Sequence, residues 1–168
     1  GLTGRAVMEA LARAGHESVS LSRRSGADAV AGTGLDEALA GADALIDVTN
    51  LPAGEVAEAR ALFGAATRNL LAAEARVGVG HHVLLWIGGV ARIEGPPHYG
   101  GKRLQEEPVS EGPVPFTILR ATQFHEFAEM VVGWMSDGEV AVVPPARVQP
   151  VAVADVAEAL ARVATGPP

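Results

Sequence analysis

Three short stretches of this chain are apolar almost throughout: 44–48 (ALIDV), 82–87 (HVLLWI) and 116–119 (FTIL). A half-exposed strand alternates apolar and polar side chains, whereas a strand that does not alternate must be covered on both faces. Between the first two runs, Val56, Ala59, Phe63, Ala66, Leu70, Ala73 and Val77 recur every three or four residues. That spacing predicts a helix over 55–77, with Glu58, Arg60, Arg68, Glu74 and Arg76 on its other faces.

The rest of the chain continues the alternation. Residues 3–14 read as a helix that buries Val7, Ala10, Leu11 and Ala14 and is stopped by Gly15. Residues 18–22 (SVSLS) alternate as a strand and run into the turn-rich 23–26 (RRSG). A short strand is expected at 28–31 and a short helix at 35–40. Another helix is expected at 99–107, its first turn weakened by Gly100 and Gly101. A helix at 124–135, a strand at 139–143 and a final helix capped or opened by Asp155 and running through Val163 complete the order. Strands alternating with helices predict an α/β chain: a doubly wound, mostly parallel sheet covered on both faces. The pairs Pro96–Pro97 and Pro144–Pro145 mark loops within a single domain over 1–168.

Composition removes several function classes. A formal net charge of -7 leaves no basic stripe to neutralise phosphates, so no nucleic-acid partner is expected. With no cysteine, the chain has no disulfide, thiolate metal site or cysteine nucleophile. The five histidines (His16, His81, His82, His98 and His125) lack metal-ligand spacing, and the adjacent His81 and His82 fit the start of a strand. No stretch reaches the roughly 18 apolar residues of a membrane span, and no signal peptide opens the chain. The expectation is a soluble cytoplasmic protein. A chain that opens at Gly1 directly into a helical pattern also reads as truncated at its N-terminus.

Gly1-Leu2-Thr3-Gly4 opens the first helix. A helix N-terminus presents unpaired N–H groups and the positive end of a dipole, which suits a diphosphate. Glycines there allow close backbone approach and tight helix–sheet packing. About 20 residues beyond the glycine loop of a Rossmann unit, the second strand ends beside the adenosine ribose, where an acidic residue selects NAD. Here that place holds Ser22, Arg23 and Arg24. A guanidinium can grip a 2′-phosphate bidentately, so the spacing favours NADP(H) over NAD(H).

With these features in place, the chain resembles the NmrA-like branch of the atypical short-chain dehydrogenase/reductase family. Gly1 and Gly4 match the second and third glycines of that family's Gly-x-x-Gly-x-x-Gly; the first glycine and the first strand are absent from this chain. Further matches are 45–50 (LIDVTN), 67–73 (TRNLLAA), 116–127 (FTILRATQFHEF) and 151–160 (VAVADVAEAL). The resemblance implies a nicotinamide cofactor across the carboxyl ends of the strands. It places Gly1, Leu2, Thr3 and Gly4 at the pyrophosphate and Arg23 and Arg24 at the 2′-phosphate. Thr49 and Asn50 would flank the adenosine or ribose, and Ile87, Gly88 and Gly89 the nicotinamide side. Thr122, Gln123 and Phe124 would line the nicotinamide and substrate pocket. It also implies that pocket-shaping residues of the family's C-terminus are missing here, and that the missing first strand leaves unpaired edges open to self-association.

The catalytic pattern departs from the family. Its active reductases use a Ser after a central strand and a Tyr-x-x-x-Lys helix, the Tyr giving a proton to the carbonyl oxygen as hydride arrives. Counting back from Lys102, the Tyr position holds His98, with Tyr99 next to it; the Ser position holds Trp86. His98 and Lys102 are four apart and Tyr99 and Lys102 three apart, so either pair can share a helix face. His98 can replace the proton donor, Lys102 can contact the ribose, and Trp86 fits a pocket wall or the core. His125 follows a strand-end loop, where ligands bind in open α/β sheets, and is a pocket candidate.

Three functions compete at this point. One is an NADPH-dependent oxidoreductase acting on a small carbonyl, quinone or related conjugated substrate. The second is a regulatory redox sensor that binds NADP(H) without turning it over. The third is non-redox chemistry on a bound aromatic substrate, with Trp86 and His98 reshaping the pocket.

Overall fold

A computed structural model describes residues 1–50, 54–92, 97–142 and 148–168. Its centre is a three-stranded parallel sheet of β1 (Ala44–Asp47), β2 (His81–Ile87) and β3 (Phe116–Ala121), in that spatial order. The crossovers are helical: α3 (Val56–Val77) joins β1 to β2, and α4 (Pro97–Ser110) joins β2 to β3. The first helix α1 (Leu2–Arg13) and the last, α6 (Val153–Ala164), pack together on one face of the sheet. The short α2 (Leu35–Leu39), α3 and α4 cover the other. Helices on both faces explain why the central β2 is apolar throughout, whereas β3, at the edge of the sheet, is only partly covered and leaves Phe116 exposed.

Side-chain alternation sorts the core into these two layers. Val83 and Leu85 of β2 meet Val7, Ala10 and Leu11 of α1 and Val156, Ala157 and Leu160 of α6. Leu84 and Trp86 face the opposite way, toward Leu71 of α3 and Val109 of α4. Leu45 joins Leu35, Leu39, Leu70 and Ala73. Ala59, Phe63, Ala66, Leu70 and Ala73 are the buried stripe expected of α3, whereas Val56 at its first turn is exposed. On α1, Ala14 lies past the helix end and is exposed rather than buried.

Several expected elements take other forms. Residues 18–22 form no ladder, because no described strand neighbours them. The carbonyls of Ser20 and Ser22 instead accept hydrogen bonds from the Ser25 hydroxyl, at 2.7 and 2.8 Å. Residues 28–31 are a turn: the Asp28 carboxylate accepts the N–H groups of Val30 and Ala31, closing the chain back to Thr33. The helix expected from 124 begins later, as α5 (Phe127–Met135), because Gln123 and His125 bond to the backbone of Val151 and extend the sheet edge. The strand expected at 139–143 is reduced to β5 (Val140–Ala141), hairpinned with β4 (Ser136–Asp137). Residue 143, Pro96 and the Pro144–Pro145 pair lie outside the described residues.

Gly100 and Gly101 weaken the propensity of α4, yet α4 spans them. A Cβ on Gly101 would stand 2.2 Å from Cδ2 of Phe63, and one on Gly100 2.9 Å from Cγ1 of Val56. The two glycines thus let α4 lie directly against α3. Replacing Gly101 with Ala is expected to cost at least the ~1–3 kcal/mol of an overpacked core. Gly133→Ala in α5, where a Cβ would meet nothing within 4 Å, should instead be neutral or gain up to about 1 kcal/mol. Urea denaturation of both variants against the unsubstituted chain checks the contrast.

Glu74 breaks the expected polar face of α3. It is fully buried, and its carboxylate receives Nδ1 of His82 at 2.8 and 3.0 Å. Burial alone would push the His82 imidazole below its usual range. The hydrogen bond to Glu74, with the charges of Glu74 and Asp47, outweighs that and holds it above. A histidine raised in the folded state stabilises the fold most below its unfolded value and loses that contribution as pH climbs through the raised value. Stability is therefore expected to fall as pH rises above about 6.5. In Glu74→Ala that slope should vanish, along with roughly 3–5 kcal/mol for stranding one member of a buried pair. Melting temperatures across pH 5.5–9 read both effects.

Candidate functional site

Parallel strands bring all their carboxyl ends to one edge, and most of the predicted cofactor residues gather there. Thr49 and Asn50 follow β1, Gly88 and Gly89 follow β2, and Thr122 and Gln123 follow β3. The N-terminus of α1 joins them: a Cβ on Gly4 would lie 3.7 Å from Cγ2 of Val48, just beyond β1. Gly1 is the N-cap of α1 and has no side chain to cap it. Among the described residues no side chain accepts the first N–H groups of the helix, and around Gly1 a Cβ would meet nothing within 4 Å. Small residues, free donors and a positive dipole end fit a diphosphate group.

Arg23 and Arg24 open a short 3₁₀ turn, Arg23–Ser25, fixed by a reciprocal capping box between Ser22 and Ser25. Both arginines are exposed, and neither forms an ion pair among the described residues. The turn is thus pinned by serines while the guanidinium groups stay open to an anion. At the end of β2, Gly88 donates its N–H to the Ala121 carbonyl at 2.8 Å, and a Cβ there would stand 3.3 Å from that same oxygen. Glycine lets the ends of β2 and β3 stay zipped at the rim of the site.

The candidate catalytic residues sit at the start of α4. His98 and Tyr99 are half-buried, their rings edge to face with centroids 4.8 Å apart. Burial, then the Lys102 ammonium nearby, lowers the His98 imidazole below its ordinary range, so near neutral pH it carries no surplus proton to give. Lys102 is 5% exposed. Its ammonium donates to the Leu85 carbonyl at 3.2 Å and lies 5.4 Å from the centre of the Phe63 ring. Burial pushes Lys102 below the usual lysine range, and the Asp47 charge opposes that.

Trp86, where the family places serine, is 3% exposed and belongs to the core. Its indole N–H donates to the Lys102 carbonyl at 2.7 Å, and the Arg120 guanidinium lies 4.9 Å from its ring centre. Arg120 is in turn paired with Glu106. Phe124 is half-buried in a single parallel bridge to Val151, and the His125 side chain is exposed. Thr122 donates its hydroxyl to the Gln149 carbonyl. It also lines a groove of about 390 Å3 beside the outer edge of β3, shared with Leu119, Val151, Asp155 and Val156.

Two polar residues at this end, Asp47 and Gln105, escaped the sequence reading. Asp47, 3% exposed at the end of β1, accepts the Thr49 N–H at 2.7 Å and the Gln105 amide at 3.1 Å. Gln105, fully buried on α4, also donates to the Thr67 hydroxyl at 3.2 Å. Glu126 supplies the cap expected of Asp155. Its carboxylate accepts the Val153 N–H at 3.2 and 3.3 Å, whereas Asp155 lies within the first turn of α6. Asp47 resembled one more member of an apolar strand, and only its position at the strand end could have singled it out.

No protein-family model and no curated protein matches the chain. Solved structures do. A putative NAD-dependent epimerase/dehydratase from Bacillus halodurans superposes with a TM-score of 0.70 at 18% identity, covering 98% of this chain and 84% of that one. The triphenylmethane reductase of Citrobacter sp., complexed with NADP(H), gives 0.69 at 18% identity over 100% of this chain. The NADPH-dependent quinone oxidoreductase QOR2 of Escherichia coli, complexed with NADPH, gives 0.67 at 19% over 98%. The chain spans 64% and 62% of the length of those two reductases. Likeness at this identity shows the fold: a Rossmann-type α/β architecture, the one implied by the short-chain dehydrogenase/reductase resemblance. Among the described residues, no helix is long and apolar enough to cross a membrane.

The cap from Glu126 ties the loop after β3 to the last helix. Glu126→Ala is expected to cost about 0.5–2 kcal/mol, the usual worth of a helix cap. Glu126→Gln, which keeps an acceptor, should cost less. Thermal denaturation of the two variants at pH 7 compares them.

Proposed function

We propose that this chain binds NADP(H) at the carboxyl edge of its sheet and presents it for hydride transfer to a small carbonyl, quinone or related conjugated substrate. The observation that carries the reading is the glycine-opened N-terminus of α1 beside Val48, which no side chain caps among the described residues, with Arg23 and Arg24 exposed and in no ion pair among those residues. Leu2, Thr3 and Gly4 would hold the diphosphate through their N–H groups, and the two arginines the 2′-phosphate. Thr49 and Asn50 would border the ribose, and Gly88, Gly89, Thr122 and Gln123 the nicotinamide side. When bound, the cofactor supplies the hydride. The chain supplies orientation and a proton for the oxygen that hydride addition leaves charged. With His98 lowered, the Tyr99 hydroxyl on the same turn is the better donor.

A second reading is favoured by Lys102 and Trp86. The Lys102 ammonium is held inward by Leu85, and an indole fills the serine position. Such a site can bind NADP(H) as a redox sensor without turning it over.

Titration with NADPH and NADH separately, followed by fluorescence, tests the cofactor. Micromolar NADPH binding is expected. It should weaken about 10- to 100-fold in Arg23→Ala/Arg24→Ala, as loss of charge-assisted hydrogen bonds worth ~1.5–3 kcal/mol requires, with NADH unchanged. No binding of either nucleotide would sink the reading. NADPH oxidation on adding a quinone then separates the reductase from the sensor, which would bind and stay unoxidised.

A further inference from the structure

Thr49 and Asn50, on the loop after β1, and Lys102, on α4, belong to elements far apart in sequence, and a cofactor at this edge needs them in fixed relation. One buried side chain touches both. Asp47 Oδ1 accepts the Thr49 N–H at 2.7 Å, and Oδ2 accepts the Gln105 Nε2–H at 3.1 Å. Gln105 lies three residues beyond Lys102, so both sit on adjoining turns of one helix face. Its amide also reaches the Thr67 hydroxyl of α3 at 3.2 Å, so the link is anchored to the helix that α4 packs against. Asp47, Thr67 and Gln105 are each nine-tenths buried or more, where water cannot substitute for a lost partner.

We propose that Asp47 is a positioning residue, holding the loop at Thr49 and the helix carrying His98, Tyr99 and Lys102 in one register through Gln105. The inference rests on the cofactor reading above. It assigns Asp47 no contact with cofactor or substrate; the residue acts through the Thr49 amide and through α4.

The conservative variant separates positioning from mere bulk. Asn at position 47 keeps an acceptor for Thr49 and turns an N–H toward Gln105, whose Oε1 is buried without a partner among the described residues and can accept it. Ala keeps neither bond. Amide hydrogen exchange on the nucleotide-free chain is expected to show the Thr49 amide and those of α4 exchanging at least tenfold faster in Asp47→Ala. The slowest amides of β2 should change less. Asp47→Asn should stay within about threefold of the unsubstituted chain, and NADPH affinity should follow the same order. Should Asp47→Ala fail to fold, Gln105→Leu tests the same link, because it removes the tie and leaves Asp47 in place. It is expected to speed exchange at Thr49, a residue it does not touch. Thr49 exchange unchanged in both Asp47→Ala and Gln105→Leu, or a uniform acceleration of every amide, would overturn the proposal. So would faster local exchange with undiminished NADPH affinity. An unsubstituted chain that binds no NADPH overturns the cofactor reading, while the exchange arm, which needs no nucleotide, still decides whether Asp47 couples the loop to α4.

Discussion

The close approach of α4 to α3 governs where the chemistry of this molecule can sit. Gly101 brings the backbone of α4 against the Phe63 ring, closer than any Cβ would permit. That contact sets the depth of the helix, and the depth buries Lys102, seals Trp86 beneath the Lys102 carbonyl and places Gln105 within reach of Asp47. A larger residue at position 101 would lift the helix and lengthen all three contacts together. The glycines trade helix propensity for proximity, and packing decides the outcome, because a buried face contributes more than the ~1 kcal/mol that a helical glycine costs.

Between α3, α4 and the sheet lies a polar layer inside an otherwise apolar core. Glu74 and His82 pair at one end, and Asp47, Gln105 and Thr67 form a chain at the other. The two ends sense each other electrostatically, since the Asp47 charge helps hold His82 up and also supports the Lys102 ammonium against its burial. Polar groups sealed from water are costly unless satisfied; in this layer His82 Nε2 and Gln105 Oε1 have no partner among the described residues, and the bonds that are made demand a particular relation of helix to strand. This layer therefore specifies register in a way that Leu and Val contacts, which tolerate sliding, do not.

The architecture was legible because period and burial agree. The unbroken apolar run of β2 is sandwiched and the stripe from Ala59 to Ala73 faces inward, though β3 at the sheet edge is only half-covered. Legibility ended wherever a residue's fate depended on a partner remote in sequence. Glu74 looked like a solvated charge because nothing nearby announces His82 beneath it. Residues 18–22 alternate as a strand does, but a ladder needs a neighbour, and Ser25 takes their carbonyls instead. Gly100 and Gly101 read as weakness because their value lies in Val56 and Phe63, some forty residues earlier. The helix start at Gly1 and the turn at Arg23 and Arg24 were legible, since both depend on local geometry: a helix opening and a serine-pinned turn.

What distinguishes a reductase from a sensor on this scaffold is the freedom of α4's first turns. A proton donor must meet the oxygen at the moment hydride arrives, and a lysine that steadies cofactor must face the site rather than the core. Here Lys102 faces Leu85 and the Phe63 ring, an arrangement that exchanges the hydration of an ammonium for one carbonyl and one aromatic face. The Asp47 charge favours the charged form of this buried ammonium. The inward pose is thus held by few bonds, while the frame that carries it is fixed by Gly101 and Gln105.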